Sequence, residues 1–192
     1  MNNEIIVVCG FSNSGKDTVA RIIQENFGYN FVVSTCTRPM RIGESQDEPY
    51  NFTNNELFEK LIESNSLIEH RAYETSVGGL EQKWYYGVEN HAIKDGEKYV
   101  IVLDIIGLKG FKEAFGDRVV SFFLNSSEET RKERCISRGD FDETEWNRRL
   151  KDDKEKFTLS VINKEVDFAI ESYVANKTVA EIMVEVKRND KI

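Results

Sequence analysis

Gly10-Phe11-Ser12-Asn13-Ser14-Gly15-Lys16-Asp17-Thr18, with the run before it, Glu4-Ile5-Ile6-Val7-Val8-Cys9, is the stretch whose reading decides the fold. The run is hydrophobic throughout and mostly β-branched, as a strand covered on both faces would be. After the turn, Val19, Ile22, Ile23 and Phe27 recur at helical spacing, and Gly28 stands where a helix C-cap belongs. G-x-x-x-x-G-K between a buried strand and an amphipathic helix is the setting of a phosphate-binding loop. Two glycines permit a tight turn whose N–H groups point inward, and the helix start adds its positive dipole end. Lys16 supplies a cation for β and γ phosphates, so Gly10, Ser12, Asn13, Ser14, Gly15, Lys16, Asp17 and Thr18 form a candidate ATP site. The bland alternative is a strand–helix turn that is merely glycine-rich, and motif plus context weigh against it. Asp17 stands where a hydroxyl residue normally follows the lysine. It either serves Mg²⁺ through its oxygens or is a first-turn acid facing solvent, and the residues leave both readings open.

Outward from the loop, strand and helix patterns alternate. Phe31 to Ser34 reads as a short strand, and Thr53 is a candidate cap for a helix carrying Leu57, Phe58, Leu61 and Ile62. Positions 67 to 88 turn strand-like around Gly78-Gly79, which predicts a small antiparallel insert. Tyr99 to Asp104, Val119 to Leu124 and Val166 to Ile170 predict further strands. Helices are expected through Arg131 and Arg134 and over Thr178 to Val186, with a charge-dense stretch between Arg138 and Lys156. This rhythm implies an α/β fold of three αβα layers around a parallel sheet. Ligands in such sheets sit at the carboxyl ends of the strands.

The 192 residues are 40% hydrophobic and 31% charged, enough for one domain with a real core. A balance of 26 basic and 34 acidic residues, −8 overall, argues against broad binding to nucleic acid or anionic membranes. A small phosphorylated ligand needs only a local cluster of cations and N–H groups. No apolar run approaches the roughly 20 residues of a membrane helix, and the start lacks the pattern of a secretory signal. Cys9, Cys36 and Cys135 have no metal-site spacing, so a reduced cytoplasmic setting is the expectation. His70 and His91 attract no role.

A second stretch, Ser34-Thr35-Cys36-Thr37-Arg38-Pro39-Met40-Arg41-Ile42-Gly43-Glu44 followed by Tyr50-Asn51-Phe52, resembles the acceptor-binding segment of the guanylate kinase family, S-x-x-T-R-x-x-R-x-G-E then Y-x-F. The resemblance implies that Arg38 and Arg41 fork onto a monophosphate, with Tyr50 as third partner. Leu67-Ile68-Glu69 resembles the family strand whose glutamate takes the N1 and N2 edge of guanine, with Ser34 beside it. Trp84-Tyr85-Tyr86-Gly87 is similar to the family's Y-Y-G, which implies that Tyr86 touches the acceptor phosphate. The chain departs from the family at Val88, where a serine or threonine is usual. In L-D-x-D the resemblance implies Asp104 as a further acceptor-binding residue, but the second acid is missing, and the interval from Glu69 to Tyr85 is several residues long for the family.

Arg131 to Gly139, with Asp142-Glu143-Thr144 and Asn147-Arg148-Arg149-Leu150, resembles the family's lid, placing Arg134, Arg138 and Arg149 on its catalytic positions. Closing the lid would bring these cations over the transferring phosphoryl group and exclude water. Alone, the same segment reads as a solvated helix laced with ion pairs. The resemblance further implies an adenine near Glu171 and Ser172, Mg²⁺ carried with ATP, and a monomer or homodimer. It divides a single domain into a core (about 1–34, 96–127 and 154–192), an acceptor lobe (about 35–95) and a lid (about 128–153). The implied reaction is transfer of the ATP γ-phosphoryl group to GMP or dGMP. Rival readings are a kinase for another nucleoside monophosphate, a non-catalytic domain binding a phosphorylated protein, and a P-loop phosphatase or regulatory ATPase.

Overall fold

The computed structural model describes residues 4–40, 43–77, 80–139 and 141–189. The first run becomes β1 (Ile5–Gly10), buried at every position, and the helix behind the loop is α1 (Lys16–Phe27), closed by Gly28 in the left-handed region. β1 is the middle strand of a five-stranded parallel sheet. Its other strands are β2 (Asn30–Phe31), β8 (Tyr99–Val102), β9 (Val119–Asn125) and β10 (Phe168–Glu171), in the order β10-β9-β1-β8-β2. The pleat sends alternate residues to opposite faces. Ile5, Val7 and Cys9 face Leu108 and Phe111 of α3 (Ile105–Phe115) and Ile162 of α6 (Leu159–Glu165). Ile6 and Val8 face Val19 and Ile23 of α1 and Ile182 of α7 (Ala175–Asn189). This two-sided cover is why β1 carries no polar alternation.

The stretch read as one strand from Phe31 to Ser34 is split between two sheets. Asn30 and Phe31 pair with β8, whereas β3 (Ser34–Cys36) opens a second sheet. That sheet contains β4 (Ser45–Gln46), β5 (Pro49–Phe52), β6 (Leu67–Val77) and β7 (Leu80–Glu89), in the order β4-β5-β3-β7-β6. The β6–β7 hairpin is antiparallel, as the sequence pattern predicts. The sheet as a whole is mixed, because β3 and β4 both pair parallel to β5. α2 (Asn55–Glu63) is capped by Asn54, whose side chain accepts from the Leu57 N–H at 2.9 Å, and not by Thr53.

The charge-dense stretch folds as helix. α4 (Glu128–Arg138) and α5 (Glu143–Lys156), capped by Ser127 and Asp142, each bond to the phosphate-binding turn, through Arg134 and Asp153. Both sheets therefore deliver their loops to one side of β1, where its carboxyl end meets the turn.

Candidate functional site

The turn is built around two glycines that no other residue could replace in place. At Gly10, φ is +148° and an added Cβ would lie 2.7 Å from the Leu124 carbonyl oxygen. Gly15 has φ +94°, and a Cβ added there would lie 3.4 Å from Arg134 Nη1. Asn13 adopts φ 60°, one of the few non-glycine residues that tolerate it. The turn is furnished with buried polar atoms that have no partner among the described residues, Asn13 Nδ2 and Ser14 Oγ. Lys16 Nζ donates to the Phe11 carbonyl at 2.7 Å across the loop. Burial holds the Lys16 pKa below the usual lysine value, with Asp17 and Asp153 pulling the other way. Unsatisfied buried polar atoms and a partly desolvated ammonium at the start of a helix are what an anionic phosphate chain would complete.

Two hollows meet at this turn. The first is a donor groove of about 500 Å³ bounded by Asn13, Gly15, Lys16, Asp17, Thr18, Arg134, Arg138, Ser172 and Tyr173. Arg134 does not reach over the reaction cleft. Its Nη1 donates to the Ser14 carbonyl at 2.8 Å and its Nη2 to the carbonyls of Ser172 at 2.8 Å and Tyr173 at 3.1 Å. Arg138 donates to Asn13 Oδ1 at 3.2 Å on the same side. Of the three arginines that the family resemblance puts over the transferred group, these two line this groove. The reason is helical: positions 131, 134 and 138 form one stripe of α4, and that stripe faces the turn.

The second hollow joins the turn to the other lobe. Gly10, Ser12 and Lys16 line it together with Tyr50, Arg71, Tyr73, Tyr86, Asp104 and Lys156. An adjoining recess adds Trp84, Arg148 and Arg149. Arg149 therefore faces this cleft, its Nε donating to Glu145 at 2.6 Å. Burial would raise the Glu145 pKa, but the hydrogen bonds from Arg148 and Arg149 hold it down at about 2. The glycine turn and the tyrosine cradle share one cavity, the geometry a transfer between two phosphates requires.

The acceptor side is an aromatic cradle over buried ion pairs. Tyr50 and Tyr73 both pack edge-on against Tyr86, at 5.8 and 5.6 Å between ring centres. Arg38 is 4% exposed, forks onto Glu44 at 2.6 and 2.7 Å, and stacks over Tyr50 at 5.1 Å. Arg41 lies outside the described residues. Ser34 is buried in β3 opposite Tyr50 and does not line the cleft. Glu69 is also buried and does not line it. Both of its oxygens accept from Arg71 Nη1 at 2.7 Å, and its stem is wedged against Gly110 of α3. Asp104 does line the cleft. It caps α3 through the Gly107 N–H at 2.9 Å, accepts from the Tyr73 hydroxyl and pairs with Arg71 at 3.1 Å. Val88 is fully buried in the core below.

The fit to Mg²⁺ rests on Asp17, whose exposed side chain lies beside Lys16 and Thr18 at the donor groove. No cluster of three or more acidic, histidine or cysteine ligands occurs among the described residues. One carboxylate beside a phosphate site suits an ion held chiefly by phosphate oxygens and water.

The guanylate kinase family model matches residues 2–188 of the chain. The chain belongs to the guanylate kinase family. It is similar to a guanylate kinase of Chlorobium luteolum, 32% identical over 179 residues covering 88% of each chain. It is also similar to one of Clostridium tetani, 32% identical over 177 residues covering 87% of this chain and 81% of that one. A crystal structure of guanylate kinase from Anaplasma phagocytophilum superposes with a TM-score of 0.67 at 25% identity, over 96% of this chain and 84% of that one. A gluconokinase structure from Sinorhizobium meliloti, at 19% identity and a TM-score of 0.57, shares the fold.

Against that family background, several cleft residues are ones that motif reading passes over. Asp153 of α5 accepts from the Ser12 N–H at 2.7 Å and pairs with Arg131 at 3.3 Å, tying the lid to the turn. Arg131 lies between the rings of Phe11 at 4.7 Å and Trp146 at 5.8 Å. Lys156 sits 4.1 Å from the Tyr73 ring centre. The signal for Arg131 was present in its spacing to Arg134 and Arg138. Asp153, one acid in a run of alternating charges, carried none.

Proposed function

We propose that this protein transfers the γ-phosphoryl group of ATP to the phosphate of a guanine nucleoside monophosphate, GMP or dGMP, giving ADP and the diphosphate. The observation that carries the reading is the single cleft in which Lys16 and the glycine turn face Tyr50, Tyr86 and Arg149. The turn amides and Lys16 hold the donor phosphates, while Asn13 Nδ2 and Ser14 Oγ gain partners there. Tyr50 and Tyr86, with Arg38 stacked on Tyr50, hold the acceptor phosphate, and the family motif adds Arg41 as a ligand. Arg149 and Lys156 face the gap between the two nucleotides, where they neutralise charge developing on the transferred group. The acceptor oxygen is already anionic, so the chemistry needs positioning more than a general base.

Mg²⁺ bound with ATP would supply charge neutralisation at the β and γ phosphates, with Asp17 as its protein partner. Arg134 and Arg138 shape the groove for the rest of the donor nucleotide. The core, acceptor lobe and lid act as three working parts, with the cleft at their junction. No helix among the described residues is long and apolar enough to cross a membrane, and a cytoplasmic setting suits an enzyme whose three cysteines are all buried in the fold.

A coupled ADP-release assay across ribo- and deoxynucleoside monophosphates tests the reading. Turnover highest with GMP or dGMP is the expected result. No ADP release above the ATP-only rate with any monophosphate would sink it.

A further inference from the structure

The cleft floor holds an arginine that neither the phosphate-binding turn nor the acceptor motif accounts for. Arg71 lines the cavity, yet its side chain is only 8% exposed. Nη1 donates to both oxygens of Glu69 at 2.7 Å, and Nε pairs with Asp104 at 3.1 Å. The same guanidinium lies over the Tyr86 ring at 5.7 Å. Helix α3 is shaped to admit this group. A Cβ at Gly107 would stand 3.1 Å from Arg71 Nη1, and one at Gly110 would stand 2.6 Å from the Glu69 Cβ. The pairing is thus built into two elements, with backbone cleared to make room for it.

Resting on the kinase reading above, we propose that Arg71 is a specificity-determining residue of the acceptor site, which withdraws Glu69 from the base and presents a guanidinium edge in its place. The two groups recognise different faces of a purine. A free carboxylate accepts from donors, so it takes the N1–H and N2 amino group of guanine. A guanidinium donates, so it takes O6 and N7. Nη1 is committed to Glu69, while Nε pairs with Asp104 as an ion but makes no hydrogen bond among the described residues, so donor capacity is left on the Nε–Nη2 edge. Hypoxanthine keeps O6 and N7 but lacks the N2 amino group. Adenine places an amino donor where O6 would be. An Arg71 reader therefore accepts GMP and IMP alike and rejects AMP, whereas a Glu69 reader separates GMP from IMP.

The test measures kcat/KM and the calorimetric Kd for GMP, IMP and AMP with the unaltered protein and Arg71→Ala. The expected result is GMP and IMP within about threefold of each other in the unaltered protein. Releasing Glu69 in Arg71→Ala then raises the GMP-to-IMP ratio by about tenfold or more, the scale of one hydrogen bond to a charged group. An unaltered protein that already prefers GMP by tenfold overturns the proposal. So does a variant in which both nucleotides lose equally, which marks Arg71 as a phosphate ligand, or neither changes, which marks a structural ion pair. If circular dichroism shows that Arg71→Ala does not fold, the charge-neutral pair Glu69→Gln with Arg71→Met replaces it. That pair is expected to lower the GMP-to-AMP ratio at least tenfold, and an unchanged ratio overturns the proposal. If the unaltered protein neither binds nor phosphorylates any of the three, the kinase reading itself falls and this inference with it.

Discussion

Lys16 shows how one residue couples burial to ligand charge. Burial depresses its pKa below the ordinary value of about 10.4. Phosphates favour the ammonium form, so the pKa in an ATP complex lies above that of the free protein. Between those two values the complex binds more protons than its components, and ATP binding takes up protons in that window. Calorimetry in buffers of different ionisation enthalpy, at pH values below the usual lysine range, is expected to show uptake that grows as the pH rises toward it. Lys16→Met should abolish it along with turnover. Proton release, or the same uptake in Lys16→Met, would rule out Lys16 as the phosphate-facing cation. Cys9, under the same loop, is the contrasting case. Burial pushes its thiol up to about 12, so it is expected to stay unmodified by alkylating agents at neutral pH in the folded protein. Rapid labelling without unfolding would contradict that.

At the scale of elements, the contact between α5 and the turn depends on a buried pair. Arg131 and Asp153 side chains are 5% and 10% exposed, and Asp153 also takes the Ser12 N–H. Removing one member of such a pair leaves a buried charge unpartnered, at about 3–5 kcal/mol. Asp153→Ala is therefore expected to lower unfolding free energy by about 3 kcal/mol and to raise KM for ATP, because Ser12 loses its acceptor. The double change Asp153→Ala with Arg131→Met should recover most of the stability but not the KM. Denaturant titration of the three proteins checks this, and a double variant no more stable than the single would refute the account. The same contrast shows what a sequence reader sees at this scale. β1, the glycine turn and α1 were legible because every determinant is local: period, cap and two glycines. The β2–β3 change of sheet was not legible, since Val32 and Val33 satisfy either strand and only tertiary pairing divides them. Arg71 and Asp153 were likewise invisible, because a charged side chain is read as solvated until another element is shown to cover it. α6, seven residues long, carries too few apolar positions to register as a period.

Over the whole molecule, the two sheets differ in how they are buried, and that difference implies separable motion. β1, β8 and β9 lie between two apolar clusters supplied by α1, α3, α6 and α7. The acceptor sheet is covered on a smaller scale, by Phe58 of α2 stacked on Tyr85 at 5.2 Å and by Val88 of β7, which packs into the cluster around α3. β5 is half-buried along its length and β4 is exposed. Segments with little buried apolar area open at lower free energy than the core. Amide hydrogen exchange should therefore be fastest in β4 and β5 and slowest in β1 and β9. A nucleotide bound to one wall of the cleft protects only the elements that form that wall, since protection follows differential contact. GMP alone is expected to slow exchange in β5 and the cradle end of β6–β7 by about tenfold or more, leaving α4 unchanged. ATP alone should slow the turn and α4. The pair together should slow α5 beyond either one, because only then do Arg149 and Lys156 face anions from both sides. Protection that spreads evenly over both sheets with GMP alone would mean the lobes move as one body, and closure of the lid would then have no hinge to work from.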